Sequence, residues 1–248
     1  MRTRVIGSYL SPYVRKVLVC LEAKGVEYEI DPIVPFFGND EFTRLSPLRR
    51  VPVLIDDRVT LADSTVICQY LEDRYPEPAL YPQDIAQRAR ARWFEEYADT
   101  RLGDVLIWGL FDRAVIAPAV WGTPRDRAAI EQVVAVDIPP LLDYLETQVP
   151  AEGCLFGTCG IADIALAAFF RNAAFARFRI DPERWPVLAG YVDRVLAVPW
   201  FTRLQPFEEL MLRTPIAGQR DALIAAGAPV APVTLGTATP RRGLPRIL

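Results

Sequence analysis

The chain contains no histidine. Its absence excludes Ser-His-Asp hydrolysis, Cys-His proteolysis and nearly every catalytic zinc site, so catalysis falls to other groups. The stretch GSYLSPYVRKVLVCLEAKG, residues 7 to 25, offers two hydroxyls at the mouth of a helix. Ser11 stands directly before Pro12, where a serine caps a helix through its side-chain oxygen. From the same position its hydroxyl can donate to a reactive sulfur brought by another molecule. Tyr9, two residues upstream, is the rival hydroxyl. Arg49 and Arg50 lie in a loop before VPVLID, and Asp63 and Ser64 open a further helix, so a basic loop and helix N-termini are available to anionic groups. Cys20, Cys68, Cys154 and Cys159 contain no CxxC pair, and three of them sit in apolar periodic stretches. They read as reduced, structural thiols, and no metal site is expected.

The elements that position these residues change character along the chain. Residues 2 to 8 read as a strand, 12 to 24 as a helix, VEYEIDPI as a strand, 39 to 45 as a short helix, VPVLID as a strand, then RVTLA and a helix from 63 to 74. In the 12 to 24 helix, Ser11 is the cap, Pro12 the first helical residue and Gly25 the stop. Tyr13, Val14, Val17, Leu18 and Leu21 form its apolar face, and Arg15, Lys16, Glu22 and Lys24 are expected on the wet side. After Tyr75 the proline-dense YPEPALYP marks a boundary. Beyond it every long segment reads helical: 84 to 113, 125 to 148, 161 to 177, 185 to 197 and 200 to 213. The reading is an α/β domain over 1 to 75, a linker over 76 to 83, an all-helical domain over 84 to 215 and an irregular, weakly packed tail over 216 to 248.

With 248 residues, 51% of them hydrophobic, the chain has enough apolar surface for a well-buried core. A net charge of -3 gives no broad basic field, which argues against nucleic acid and anionic membranes as main partners. The longest charge-free run, 222 to 240, is interrupted by Pro229, Pro232 and Pro240 and cannot form a regular membrane-spanning helix. No secretory signal is visible, so a cytoplasmic location is expected.

Three pieces in order, SPYVRKV at a helix start, SPLRRVPVLID leading into a strand and LADSTVICQYLEDRYP at another helix start, resemble the glutathione transferase superfamily over about 1 to 215. The segment FGTCGIADIALAA, 156 to 168, resembles the family's buried helix-start motif, with Gly160 in place of the Ser or Thr cap and Asp163 three residues on. The resemblance implies a thioredoxin-like domain with a four-stranded mixed sheet followed by an all-helical domain. It also implies glutathione as co-substrate, no metal and a symmetric homodimer.

Residue by residue, the resemblance places Pro52 at the family's cis-proline. A cis Val51-Pro52 bond turns the Val51 N–H and C=O toward the ligand's cysteinyl backbone, whereas the plain alternative is a trans strand-start proline. Asp63 and Ser64 match the residues that hold the γ-glutamyl group, Ser64 and the helix N-terminus taking the carboxylate and Asp63 the amine; a ligand-free N-cap is the plainer role for Asp63. Arg49 or Arg50 faces the glycyl carboxylate or is a solvated loop residue. Ser11 matches the thiol-activating serine of several classes. Bringing a thiol pKa from ~8.5 to ~6.5 takes about 2.7 kcal/mol. A hydroxyl donor to an ion supplies about 1.5 to 3 kcal/mol and a helix N-terminus about 0.3 to 1 more. Tyr13, Trp108, Phe111 and Trp121 are expected either as core or as the wall of an apolar electrophile pocket. The implied activity is glutathione S-conjugation to a small hydrophobic electrophile, a detoxification chemistry. The alternatives are a glutathione-dependent isomerase or reductase, and a non-catalytic module for protein association.

Overall fold

The computed structural model describes residues 3–242 and divides into two compact units, 1–78 with 204–248, and 79–203. Residues 1–2, and the end of the expected tail at 243–248, lie outside the described residues.

The first unit is a four-stranded mixed sheet with helices. Strands β1 (Thr3–Ile6), β2 (Tyr28–Asp31), β3 (Val53–Ile55) and β4 (Thr60–Ala62) run in the order β2-β1-β3-β4. β1 pairs parallel with β2 and antiparallel with β3, and β3 pairs antiparallel with β4. Helix α1 (Pro12–Ala23) makes the crossover between the parallel pair, as a parallel connection requires. After the short α2 (Asp40–Leu45) and the two hairpin strands comes α3 (Ser64–Arg74), which packs against α1. Ile6, Ile33, Phe42 and Val53 close the core on one face of the sheet.

Two expectations are corrected here. Arg15, Lys16 and Lys24 are buried rather than on a wet face. The chain returns as α11 (Gln205–Arg213), whose buried Glu208 accepts from Arg15 Nε at 2.5 Å. Lys16 Nζ donates to Thr65 Oγ1 and Lys24 pairs with Glu72, both on α3. Each charge is buried with a partner, the condition under which burial is tolerated.

Over residues 216 to 242 the expected tail is not loose: its first part is helical, and the rest is irregular but tied down. The segment forms α12 (Ile216–Ala225) and then runs as a strap along the free edge of β2. Ile30 N–H donates to the Pro229 carbonyl and Ala231 N–H to the Ile30 carbonyl, both at 2.8 Å, and Leu235 joins the core. Arg220 and Leu235 N–H both bind the buried Asp31 carboxylate. Ala, Pro and Gly content suits this role: the strap needs extended backbone to cover a sheet edge, not a helical pattern. Residues 204–242 therefore group with the sheet, not with the helical segments before them.

The second unit is built around α8 (Ile161–Phe175), most of whose residues are buried on every side, as a central core helix demands. α4 (Ile85–Tyr97) continues without a break through wide turns at Ala98–Ile116 into α5 (Ala117–Trp121), beyond the expected end at 113. Gly122, at φ 65°, ends it in the left-handed conformation that glycine adopts without strain. α6 (Arg127–Gln132) and α7 (Pro139–Glu146) fill the region expected as one helix, and α9 (Pro186–Leu196) and α10 (Pro199–Thr202) complete the unit. No described helix is long and apolar enough to cross a membrane.

At the start of α8, Asp163 reaches back to the Gly160 N–H at 2.9 Å and also accepts from Leu155 N–H and the Tyr191 hydroxyl. A Cβ on residue 160 would stand 2.5 Å from the Leu80 carbonyl oxygen. That contact is a steric reason for glycine where the family pattern has a hydroxyl residue.

Candidate active site

Sheet register gathers the candidate residues in the first unit. Val53 lies opposite Ala62, so the Val51-Pro52 corner and the Asp63 start of α3 meet at the same end of the β3–β4 hairpin. Ile6 lies opposite Val53, which sets the loop from β1 to α1 beside that corner. Gly7, at φ 145°, makes the approach possible: a Cβ there would fall 2.5 Å from Val14 Cγ2 and 3.0 Å from Val51 Cβ. The Lys16–Thr65 bond draws α1 to the first turn of α3. Two helix N-termini, each a partial positive charge, thus frame one extended backbone corner. Gly7, Lys16 and Arg15 are positioning residues missed from the sequence; the only available signal was a glycine directly after a strand.

Ser11 is the N-cap of α1, half-buried. Its Oγ accepts from Val14 N–H at 3.4 Å, longer than an ordinary hydrogen bond, and no acceptor takes its own proton among the described residues. Tyr9 is buried and faces inward, its ring 5.4 Å from Phe207. Burial first, then the negative charge of Glu22, push its phenol well above the ordinary range.

The Val51-Pro52 bond is cis. Asp63 is exposed, with Oδ1 accepting from Thr65 N–H at 2.9 Å and Val66 N–H at 3.2 Å, while Ser64 is buried beside it. The Asp63 backbone sits at φ 84°, ψ 125°, a region a side-chain-bearing residue rarely visits and one that clusters at ligand sites.

The two arginines separate. Arg49 Nη1 donates to Thr43 Oγ1, and Nη2 to the Pro35 and Gly38 carbonyls, with the guanidinium over the Phe42 ring. It ties down the segment before α2. Arg50 is exposed; its backbone N–H and C=O both bond Ser46 Oγ, and its guanidinium has no partner among the described residues.

Of the aromatic candidates, Tyr13 is half-buried in the first turn of α1. Phe111 is buried in the second unit, its ring 6.3 Å from Phe175. Trp108 and Trp121 are half-buried on the long helix of that unit.

A four-stranded sheet domain of thioredoxin-like order, with a cis-proline corner between two helix N-termini, followed by a helical domain, defines the class of fold. Residues 5–79 match the glutathione S-transferase N-terminal domain family. A glutathione S-transferase from Triticum aestivum is 26% identical over 210 residues, 81% of this chain and 91% of the wheat protein. The maleylacetoacetate isomerase of Mus musculus is 28% identical over 208 residues, 80% of this chain and 92% of the mouse protein. The crystal structure of a glutathione S-transferase from Rhodospirillum rubrum superposes with a TM-score of 0.76 at 26% identity, covering 89% of this chain and 99% of that one. Residues 5–79 thus carry a glutathione S-transferase N-terminal domain, and the chain as a whole is similar to members of the glutathione transferase superfamily.

Proposed function

We propose that this chain is a glutathione transferase in which Ser11 stabilises the bound thiolate for attack on a small hydrophobic electrophile. The observation that carries the reading is the Ser11 hydroxyl, loosely held as a cap and with its proton uncommitted, at the N-terminus of α1 beside the Val51-Pro52 corner. The Val51 backbone pairs with the cysteinyl unit, Ser64 and the α3 N-terminus take the γ-glutamyl carboxylate, Asp63 takes the amine, and Arg50 takes the glycyl carboxylate. Arg50 rather than Arg49 is assigned because the Arg49 fork is already spent on Thr43 and two carbonyls. The burial of Tyr9 supports Ser11 over it. The reading carries with it a homodimer and a cytoplasmic location, the former checked by sedimentation.

Similarity to the mouse isomerase favours a second reading, isomerisation of an activated double bond. It uses the same thiolate: sulfur adds to one carbon, the resulting single bond rotates, and the thiolate leaves again. The two readings differ in whether glutathione is consumed.

Ser11→Ala tests the shared step. Loss of the hydroxyl is expected to raise the pKa of bound glutathione by about one to two units, because each unit is ~1.36 kcal/mol. Its thiolate absorbance titration moves to higher pH while affinity changes little, and turnover near neutrality falls about tenfold or more. An unmoved titration with only a lower melting temperature reduces Ser11 to a cap.

A further inference from the structure

The second unit holds a pair of thiols for which the proposed function has no use. Cys154 and Cys159 bracket a tight loop in which Cys154 bridges Gly157 and Phe156 bridges Thr158. Both thiols are half-exposed, and their sulfurs lie within 4.8 Å of each other and of an Asp163 oxygen. Asp163 fixes the loop by accepting from Leu155 N–H and Gly160 N–H, so the sulfurs stay together without help from a ligand. Arg194 brings a positive charge to Cys154, and its Nε–H is buried with no acceptor among the described residues.

We propose that Cys154 and Cys159 are a redox modification site, oxidised to an intraloop disulfide by a small anionic disulfide such as glutathione disulfide. The Cys154 thiolate attacks one sulfur of the small disulfide, whose S–S bond breaks to release one thiol that takes up a proton. Cys159, losing its proton, then attacks the Cys154 sulfur of the mixed disulfide and expels the second small thiol. Two protein thiols give up two electrons and two protons, and the small disulfide receives them as two thiols.

The surroundings set the rate. Burial and the Asp163 charge push the Cys154 thiol up, against the opposing influence of Cys159 and Arg194, and the Tyr191 hydroxyl donates to the same Asp163 carboxylate. Attack therefore accelerates with pH, about tenfold per unit below the thiol pKa, since only the thiolate reacts. A divalent ion on the same three groups is less favoured, because the Asp163 oxygens already accept three hydrogen bonds. The molecule supplies its own control. The Cys20 and Cys68 sulfurs are only 3.6 Å apart, but both residues are buried, out of reach of a solution disulfide. The site has its own place in the fold too: Phe156, Thr158 and Gly160 of this loop line a cavity of about 290 Å³.

The test uses the reduced full-length protein, freed of reductant and incubated with millimolar glutathione disulfide, then denatured in excess alkylating agent. Two of the four thiols are expected to be lost, peptide mapping is expected to join Cys154 to Cys159, and the melting temperature is expected to rise by about 3 to 8 °C. Cys159→Ser should stop at a glutathione adduct on Cys154. Asp63→Ala, expected to weaken glutathione binding at the proposed active site, should oxidise like the wild type, so failure of one reading does not mimic failure of the other. The proposal is overturned if all four thiols remain alkylatable, if the link forms between Cys20 and Cys68, or if the wild type keeps a stable adduct. A stoichiometric zinc ion on the purified protein, shielding both thiols, overturns it as well.

Discussion

Asp63 and Asp163 each serve the start of a helix, α3 and α8, yet their surroundings differ in almost every physical respect. Asp63 is exposed, its Oδ1 accepts two backbone N–H groups, and Oδ2 has no partner among the described residues. Asp163 is fully buried and both its oxygens are taken, by Leu155 N–H, Gly160 N–H and the Tyr191 hydroxyl. Burial with both oxygens committed to the protein's own donors marks a carboxylate that organises its own unit. Exposure, a spare oxygen and a strained backbone at φ 84° mark one that can still receive a ligand. Residue type and position at a helix start therefore do not separate the two roles; the accounting of hydrogen bonds does.

The comparison breaks most visibly at Asp163. Asp163→Ala strands three donors, two of them backbone groups, and each buried unsatisfied group costs about 1 to 3 kcal/mol. Urea denaturation is expected to show a loss of about 3 kcal/mol or more, with the least stable preparations failing to fold. A loss under about 1 kcal/mol would mean that water replaces the carboxylate and that the two helix starts are not so different.

Gly160 sharpens the same contrast with a smaller effect. Gly160→Ser restores the hydroxyl of the family pattern, worth about 1 kcal/mol as a cap. It also drives a Cβ to within 2.5 Å of the Leu80 carbonyl, which already accepts from Ile161 N–H at 2.8 Å. Overpacking of this kind costs about 1 to 3 kcal/mol, so the apparent repair is expected to lower stability. A higher unfolding midpoint in Gly160→Ser would show that Leu80 moves aside and that the clash does not account for the glycine.

How far the sequence could be read follows from the same distinction between local and distant causes. The start of α1 was legible from Ser11 and Pro12, its end from Gly25, and the start of α3 from Asp63, because caps are written in neighbouring residues. The reach of Asp163 to Gly160 was legible for the same reason. Burial of Arg15 was not, since it depends on Glu208, 193 residues away. Nor was the strap at 229–235, whose order comes from the open edge of β2 and the Asp31 carboxylate rather than from any periodicity of its own. Arg49 and Arg50 were indistinguishable as neighbours in a loop. The backbone at Arg49, φ 50°, turns its side chain onto Thr43 and the 35–38 segment and leaves Arg50 in solvent.

The smallest effect on stability, and the most telling for function, is expected at Asp63. Asp63→Asn keeps an oxygen to accept from Thr65 and Val66 N–H, so the unfolding free energy should change by no more than about 0.5 kcal/mol. The negative charge proposed to meet the γ-glutamyl amine is lost. Because that contact is remote from sulfur, the KM for glutathione should rise about three- to tenfold with kcat nearly unchanged. Asp63→Gly extends the argument to the backbone. Glycine occupies φ 84° without strain and caps nearly as well as aspartate, so stability should hold or improve slightly, while KM rises as in the asparagine variant. At Asp163 no substitution separates the two quantities in this way, because both carboxylate oxygens there are buried and bonded to the unit's own donors. If Asp63→Asn instead unfolds as Asp163→Ala does, or lowers kcat and kcat/KM equally, then the exposed carboxylate is either a structural cap or part of the reacting centre. The assignment of the γ-glutamyl amine to Asp63 then fails.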